Sequence, residues 1–413
     1  MKIWLLQASE PMPVVNKDER LWRMGMIAEE LSNRGHEVLW FANTFDHYHK
    51  KQLYDKDTII KVKENYSLYL FHGIKYKKNI SISRIINHKM IANKFRKYAN
   101  RTDQKPDLIY VSFPTIDYAD EAVKYGKKNN IPVIVDIRDL WPDIFNHNLS
   151  GIIKLFAQPY IKLMTNKTKK IMKDTYAING ISDLVVEWGL KKGNRDKNKY
   201  DRMFYLGYDK KENTDTKSFD IIDDKKFNIS FFGTIGNQFN YDIIKEIAQI
   251  LKEKDKDIQI NIAGDGPQFE DLKKKVSEFS NVSLLGWIGK EEINYIMKNS
   301  KIGFAPYKNT FDFQMGVSNK FCEYISEGLP VLLTSEGYMK ELTEKYKCGF
   351  ASQNASKICD YIINLKNNKK DYEENSKNAK ELYEEKFVAK NIYKELGDYL
   401  EEIGGIKKWN MQL

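Results

Sequence analysis

The stretch from Pro306 to Pro330, PYKNTFDFQMGVSNKFCEYISEGLP, carries the residue types that hold a phosphorylated ligand. A strand should end near Pro306, and a ten-residue loop should run to Gly316. Ser318 then has the character of a helix N-cap, and Gly328 fits a C-terminal stop. The first turn of such a helix offers free backbone N–H groups and the positive end of its dipole, so Gly316, Val317, Ser318 and Asn319 could cradle a diphosphate. Lys320 falls in that first turn and Glu323 one turn later on the same face, roughly 4.5 Å along the axis. A nucleotide with its diphosphate at the helix end could then set its ribose diol against Glu323. The same spacing also fits an exposed Lys–Glu pair worth a few tenths of a kcal/mol.

Other candidates follow apolar, strand-like runs, where ligands of open parallel sheets bind. Gly233-Thr234-Ile235-Gly236-Asn237 comes after one such run, and Gly264-Asp265-Gly266-Pro267 after the next. Small residues there let backbone approach a ligand closely, although each could equally be a plain turn. Neither matches a phosphate-binding P-loop or a GxGxxG dinucleotide fingerprint. Earlier in the chain Arg138 and Asp139 follow the run Val133–Asp136 and point toward the same kind of crevice, or pair with each other to hold the loop. Asp136 reads as structural, and His36 as part of a helix-to-strand turn. His47 and Lys51 face either an acceptor or solvent.

The elements that must position these residues alternate strand and helix through both halves. Ile3–Gln7, Glu37–Phe41, Leu108–Ser112 and Val133–Asp136 read as strands, with helices near Asp18–Asn33 and Tyr118–Asn129. A polar, aperiodic segment beginning at Leu206 reads as a linker. The alternation then restarts with Asn228–Phe232, Ile258–Ala263, Val282–Leu285, Ile302–Ala305 and Val331–Thr334 as strands. Such repetition implies parallel sheets with helices on both faces. The expected architecture is α/β with two doubly wound domains, at 1–205 and about 225–384, and a charged helix from about 385 to 413.

Composition narrows the class further. A chain of 413 residues with 42% hydrophobic and 13% aromatic content can fill two cores and is not disordered. No run approaches the ~18 apolar residues of a membrane span, and the N-terminal apolar run is too short for a signal peptide. Cys322, Cys348 and Cys359 show no metal-ligand spacing and read as reduced thiols of a cytosolic protein. The net charge of +10 is uneven: Gly73–Arg101 holds nine Lys/Arg without an acid, and Ser150–Lys173 six lysines without an acid. Isoleucines and other apolar residues interleave with these cations. That pattern fits a helix lying on an anionic membrane surface, or a core face backed by solvated lysines. No module or aromatic ladder supports nucleic-acid binding.

Six segments together resemble family-4 retaining glycosyltransferases of the GT-B fold, in particular bacterial polysaccharide enzymes of the capsule and O-antigen type. They are RGHEV at Arg34–Val38, DIRDLWPD at Asp136–Asp143, FFGTIGNQ at Phe231–Gln238, GDGP at Gly264–Pro267, LGW at Leu285–Trp287 and NKFCEYISEGLPV at Asn319–Val331. The resemblance implies two Rossmann-like domains facing a central cleft, the first binding acceptor and the second binding a nucleotide-sugar, with the terminal helix packing back on the first. Donor contacts then fall to Gly233, Thr234, Gly236, Asn237, Gly264, Gly266, Trp287, Gly316, Val317, Ser318, Asn319, Lys320 and Glu323. Arg138, Asp139 and Lys320 become the catalytic candidates, and Asn16, Arg20 and His47 the acceptor contacts.

The chain departs from the family pattern at several places. Met315 stands where the family has the first of two paired glutamates. Thr234 and Phe239 occupy the approximate places of its usual Arg and Lys, and Val14-Val15-Asn16-Lys17 replaces its glycine pair. The function implied is transfer of a hexosyl or N-acetylhexosaminyl group from a nucleotide diphosphate, UDP by default, to a lipid-linked or glycan acceptor in surface polysaccharide synthesis. No cofactor or metal is expected, because helix dipole and basic side chains would stabilise the departing diphosphate. The implied location is the inner face of the plasma membrane, held by the basic first half. The alternatives are a nucleotide-sugar epimerase or hydrolase of the same fold, or a non-catalytic partner in a polysaccharide assembly.

Overall fold

The computed structural model describes residues 1–15, 20–149, 151–210 and 219–405, which divide into two compact units. One comprises Met1–Tyr205 with the chain from Lys390 onward, the other Leu206–Ala389. Asn16 and Asp18 lie outside the described residues.

The first unit is built on an eight-stranded sheet. Its order is Arg202–Met203, Ala177–Gly180, Val133–Ile137, Leu108–Phe113, Lys2–Leu6, Glu37–Asn43, Tyr66–Phe71 and Thr58–Lys63. Only the Thr58–Lys63 edge runs antiparallel to its neighbour. Leu108–Phe113 and Val133–Ile137 are buried at every position, as strands covered on both faces must be. The first helix is Arg23–Asn33, beginning later than the start near Asp18 expected from sequence. Its cap comes from a distance: the Glu10 carboxylate accepts the Met24 N–H at 2.7 Å, a negative charge at the helix's positive end.

The terminal helix Ala389–Gly404 belongs to this unit, and the RGHEV residues hold it there. Arg34 donates to Asp398 at 2.6 Å, to Glu401 at 3.1 Å and to the Lys394 carbonyl at 2.7 Å. His36 Nε2 meets the other Glu401 oxygen at 2.6 Å. Gly397 leaves the room: a Cβ there would lie 2.7 Å from the Arg34 guanidinium carbon. Tyr399, buried, donates to the Asn179 side chain and the Tyr200 carbonyl, both at 2.8 Å.

The second unit has a six-stranded, wholly parallel sheet: Val282–Gly286, Ile258–Ala263, Phe227–Phe232, Ile302–Ala305, Val331–Leu333 and Gly349–Ala351. Numbered along the chain, that order is 3-2-1-4-5-6, with the reversal between Phe227–Phe232 and Ile302–Ala305. A doubly wound sheet opens its ligand crevice at such a reversal, beyond the carboxyl ends of the two strands. The residues after Pro306 also contain a short helix, Phe311–Met315, where a plain loop was expected. The three cysteines are free and buried, and burial pushes the Cys348 and Cys359 thiols up to about 12, which makes them inert at neutral pH.

Candidate active site

In the second unit, the helix Asn319–Ser326 starts beside the reversal point. Ser318 caps it, its hydroxyl accepting the Phe321 N–H at 3.3 Å. Ser318→Ala should lower the unit's stability by about 1 kcal/mol, read from denaturant midpoints. The helix lies close against Ile302–Ala305 through Tyr324, whose hydroxyl donates to the Phe304 carbonyl at 3.0 Å. Gly316 and Val317 are buried, Ser318 and Glu323 half-buried and Asn319 exposed. Tyr307, the second residue past the strand, is buried and its hydroxyl bonds Ser318.

The two glycine loops lock together backbone on backbone. Gly233 N–H donates to the Ala263 carbonyl at 2.9 Å and Ile235 N–H to the Asp265 carbonyl at 2.9 Å. Gly264 has φ +138°, and a Cβ on it would stand 1.9 Å from the Gly233 oxygen, so no side chain fits there. Gly266 sits on Ile235 in the same fashion. Thr234 and Asn237 are exposed on the rim, while Gly236 is buried with its carbonyl accepting the Tyr241 hydroxyl at 2.7 Å.

Lys320 reaches across this floor. A Cβ on Gly233 would lie 2.1 Å from its Nζ, so the glycine is what lets the ammonium settle there. Nζ stands 5.7 Å from the Phe231 ring centre and 5.8 Å from those of Phe232 and Phe239. Among the described residues it makes no hydrogen bond and no ion pair. Burial depresses its pKa, and the charge of Glu323 only partly opposes that. An ammonium so placed lacks an anion.

Phe239, where the resembling family carries a basic residue, is 1% exposed and stacks on Tyr307 at 4.8 Å. Tyr307 in turn stacks on Phe313 at 4.3 Å. No sequence signal marked that aromatic column. Trp287 follows the edge strand Val282–Gly286, two strands from Phe227–Phe232 and so ~10 Å away, and is 79% exposed. It is therefore distant from Gly233 and open to solvent.

The first unit has its own reversal, between Lys2–Leu6 and Leu108–Phe113. There Asp136, 0% exposed, binds Arg23 at 3.1 Å and Arg138 through its other oxygen. Arg138 also faces Glu10 at 3.4 Å. The expected Arg138–Asp139 pair does not form: Arg138 turns inward and Asp139 is exposed. Asp136 and Arg138 are two apart at a strand end and so share a face, a signal that was present in the sequence. Burial raises the pKa of Glu10, with Arg138 opposing, whereas Arg138 and Arg23 hold Asp136 below the usual carboxylate range despite its burial.

His47 accompanies Glu10, Asp46 and Tyr48 in the wall of a small cavity, with Nδ1 2.7 Å from the Tyr76 hydroxyl. Burial, Arg84 and Lys50 push its pKa down to about 4, so it is neutral at pH 7. Arg20 is half-buried. Glu10 and Arg23 carried no local signal in sequence.

Comparison with known proteins adds to this geometry. Residues 226–368 match the family described as Glycosyl transferases group 1. That span contains the whole six-stranded sheet, both glycine loops and the Lys320 helix. No curated protein matches the chain. Sucrose-phosphate synthase from Thermosynechococcus elongatus superposes with a TM-score of 0.71 at 13% identity, over 98% of this chain and 99% of that one. Anabaena HepE, solved in complex with UDP, gives 0.66 at 14% identity over 97% and 100%. WaaG, a glycosyltransferase involved in lipopolysaccharide biosynthesis, gives 0.63 at 13% identity over 96% and 99%. The chain has the GT-B type of two-domain α/β fold.

Proposed function

We propose that the protein is a glycosyltransferase that moves a sugar from a nucleotide diphosphate to a lipid-linked or glycan acceptor in bacterial surface polysaccharide synthesis. The observation that carries this reading is the Lys320 ammonium, which makes no hydrogen bond or ion pair among the described residues and is set on Gly233 at the N-terminus of a capped helix. A diphosphate is the anion that this combination of helix dipole, lysine and close-set glycine backbone suits. Glu323, one turn along, takes the ribose, and the base extends over the Gly264–Gly266 loop toward Trp287. HepE has also been solved with UDP-glucose, which favours uracil as the base.

Catalysis in this reading is electrostatic. Lys320 and the helix end stabilise the diphosphate as its bond to the sugar breaks, and Gly233, Thr234, Gly236 and Asn237 border the same anion. Arg138, held by Asp136 and Glu10, and Asp139 orient groups on the acceptor side, with Arg20 and His47. We infer a metal-independent, retaining reaction at the inner face of the plasma membrane. Support for that location comes from the clustered cations and from exposed apolar side chains such as Ile82 and Phe156. Met315 favours a second reading, a non-catalytic partner in a polysaccharide assembly; hydrolysis or transfer from UDP-sugars excludes it.

Thermal-shift binding of UDP, GDP and ADP to wild type and Glu323→Ala tests the donor site. One nucleotide should stabilise the wild type, and Glu323→Ala should weaken it roughly tenfold or more through lost charge-assisted hydrogen bonds. A response equal in both proteins removes Glu323 from the site.

A further inference from the structure

The two basic, apolar stretches meet around a cavity of about 310 Å³ in the first unit. Its wall comes from the start of the helix Ile82–Arg101, the Trp141–Leu149 segment and the helix Gly151–Asp174. The lining is mostly hydrocarbon and aromatic: Ile82, Ile85, Trp141, Phe145, Tyr160 and Met164. That volume lies at the low end of small-molecule sites, ~300–1,000 Å³, and suits a short stretch of hydrocarbon.

One charged group stands in this wall. Arg84 lies over the Trp141 ring at 5.2 Å and over the Tyr76 ring at 5.9 Å. It donates to the Asn79 carbonyl at 2.7 Å and toward His88 Nε2 at 3.4 Å. No carboxylate pairs with it among the described residues, and Asp139 reaches it only at longer range. Lys50 shares the Tyr76 ring at 5.3 Å, which adds a second cation nearby. Arg84 also hydrogen-bonds the Tyr76 side chain, and the N–H donors left over after these bonds suit a phosphate.

The surroundings repeat the combination of apolar and positive. Ile80 is 68% exposed, Ile82 76% and Phe156 80%. Lys75, Lys77 and Lys78 are exposed just before the helix. Two other cations of these stretches are drawn to carboxylates, Lys94 to Asp57 and Lys167 to Asp117, whereas Arg84 and the three exposed lysines before its helix stand at the cavity end.

We propose that this cavity seats one hydrocarbon chain of a single-chain lipid phosphate, with Arg84 meeting the phosphate. This deepens the lipid-linked part of the reading above and rests on it. Neither half of the ligand suffices: the wall is too apolar for a free anion, and Arg84 disfavours an uncharged chain.

The test is calorimetric titration of the full chain with decyl phosphate below its micellar concentration, with decanol and with inorganic phosphate. Decyl phosphate should bind at least about tenfold more tightly than either, because the charged hydrogen bonds and chain burial act together. Ala157→Trp, which fills the cavity from its wall, should abolish decyl phosphate binding. Arg84→Gln should bind decyl phosphate and decanol alike. Both variants should keep the wild-type denaturant transition of the first unit, which shows that this unit is folded, and the wild-type thermal response to nucleotide. Decyl phosphate binding unchanged in Ala157→Trp overturns the proposal. So does uptake of the protein by phosphatidylglycerol vesicles with no decyl phosphate binding, which indicates surface adsorption alone. Lipid phosphate binding without any nucleotide response leaves the seat standing and removes the donor reading instead.

Discussion

Lys320→Met is expected to weaken nucleotide diphosphate binding by roughly a hundredfold while changing the stability of the unliganded protein by less than about 1 kcal/mol. The asymmetry follows from what the ammonium touches. Without ligand it gains cation–π contact from Phe231, Phe232 and Phe239 but has no hydrogen bond among the described residues, and burial lowers its pKa. Contacts of about 0.5–2 kcal/mol are thus set against the desolvation cost that the lowered pKa records. Methionine keeps the stem among the rings and removes both terms. With a diphosphate present, wild type adds charge-assisted hydrogen bonds that the variant cannot make.

The same pair should differ in pH response. A bound diphosphate favours the charged lysine, so wild-type affinity is full below the depressed pKa and falls as pH rises through it. Titration of binding by calorimetry between neutral and alkaline pH should show this limb in wild type and flatten it in Lys320→Met. A large fall in stability in Lys320→Met would instead make the residue a structural support.

Asp136→Ala should destabilise the first unit by about 3–5 kcal/mol, among the largest effects of a single substitution in this chain. The aspartate is fully enclosed and answers two arginines, one of which, Arg23, is itself 0% exposed on its side chain. Its removal leaves a buried guanidinium without its counter-charge. Arg23 also donates to the Phe204 and Tyr205 carbonyls at 2.7 and 2.8 Å, so the end of the unit's first run of chain loosens with it. Denaturant unfolding followed by fluorescence should shift the first unit's transition and spare the nucleotide response of the second.

The pH dependence of that loss has a definite sign. The folded-state pKa of Asp136 lies below its ordinary value, so its contribution is complete above the ordinary carboxylate range and is lost as pH falls through the folded value. Glu10 has the opposite sign: its raised pKa gives a contribution present below the ordinary value and lost as pH rises through the folded one. Asp136→Ala should therefore lose the acid limb of the stability profile, and Glu10→Gln the alkaline one.

How much of this was legible in the sequence depends on how far each signal reaches along the chain. The strands read from apolar runs fall within a residue or two of the observed ones, whereas Thr58–Lys63, Tyr66–Phe71, Ala177–Gly180, Arg202–Met203 and Gly349–Ala351 were not read from sequence. Ser318 and Gly328 bound their helix through contacts inside three residues, so the capped helix and its Lys320–Glu323 face could be read directly. The Met315 departure and the absence of basic residues at 234 and 239 were equally plain.

Partners far apart in sequence were not legible. The cap of the first helix is Glu10, fourteen positions before Met24, and the helix was read from sequence as starting near Asp18. The RGHEV motif did not announce that Arg34 and His36 bind residues 364 and 365 positions away. Arg138 chose Asp136 and Glu10 over adjacent Asp139 because strand pleating set its direction and burial made the pairing compulsory. By itself the sequence determined the alternation of elements, the capped helix and the clustering of cations, since these depend on propensity and periodicity over a few residues. Tertiary structure alone decided that the Lys320 ammonium rests among three aromatic rings, that Arg84 stands in an apolar wall, and which charges neutralise one another. Those depend on desolvation, and only the folded chain sets how much water each charge keeps.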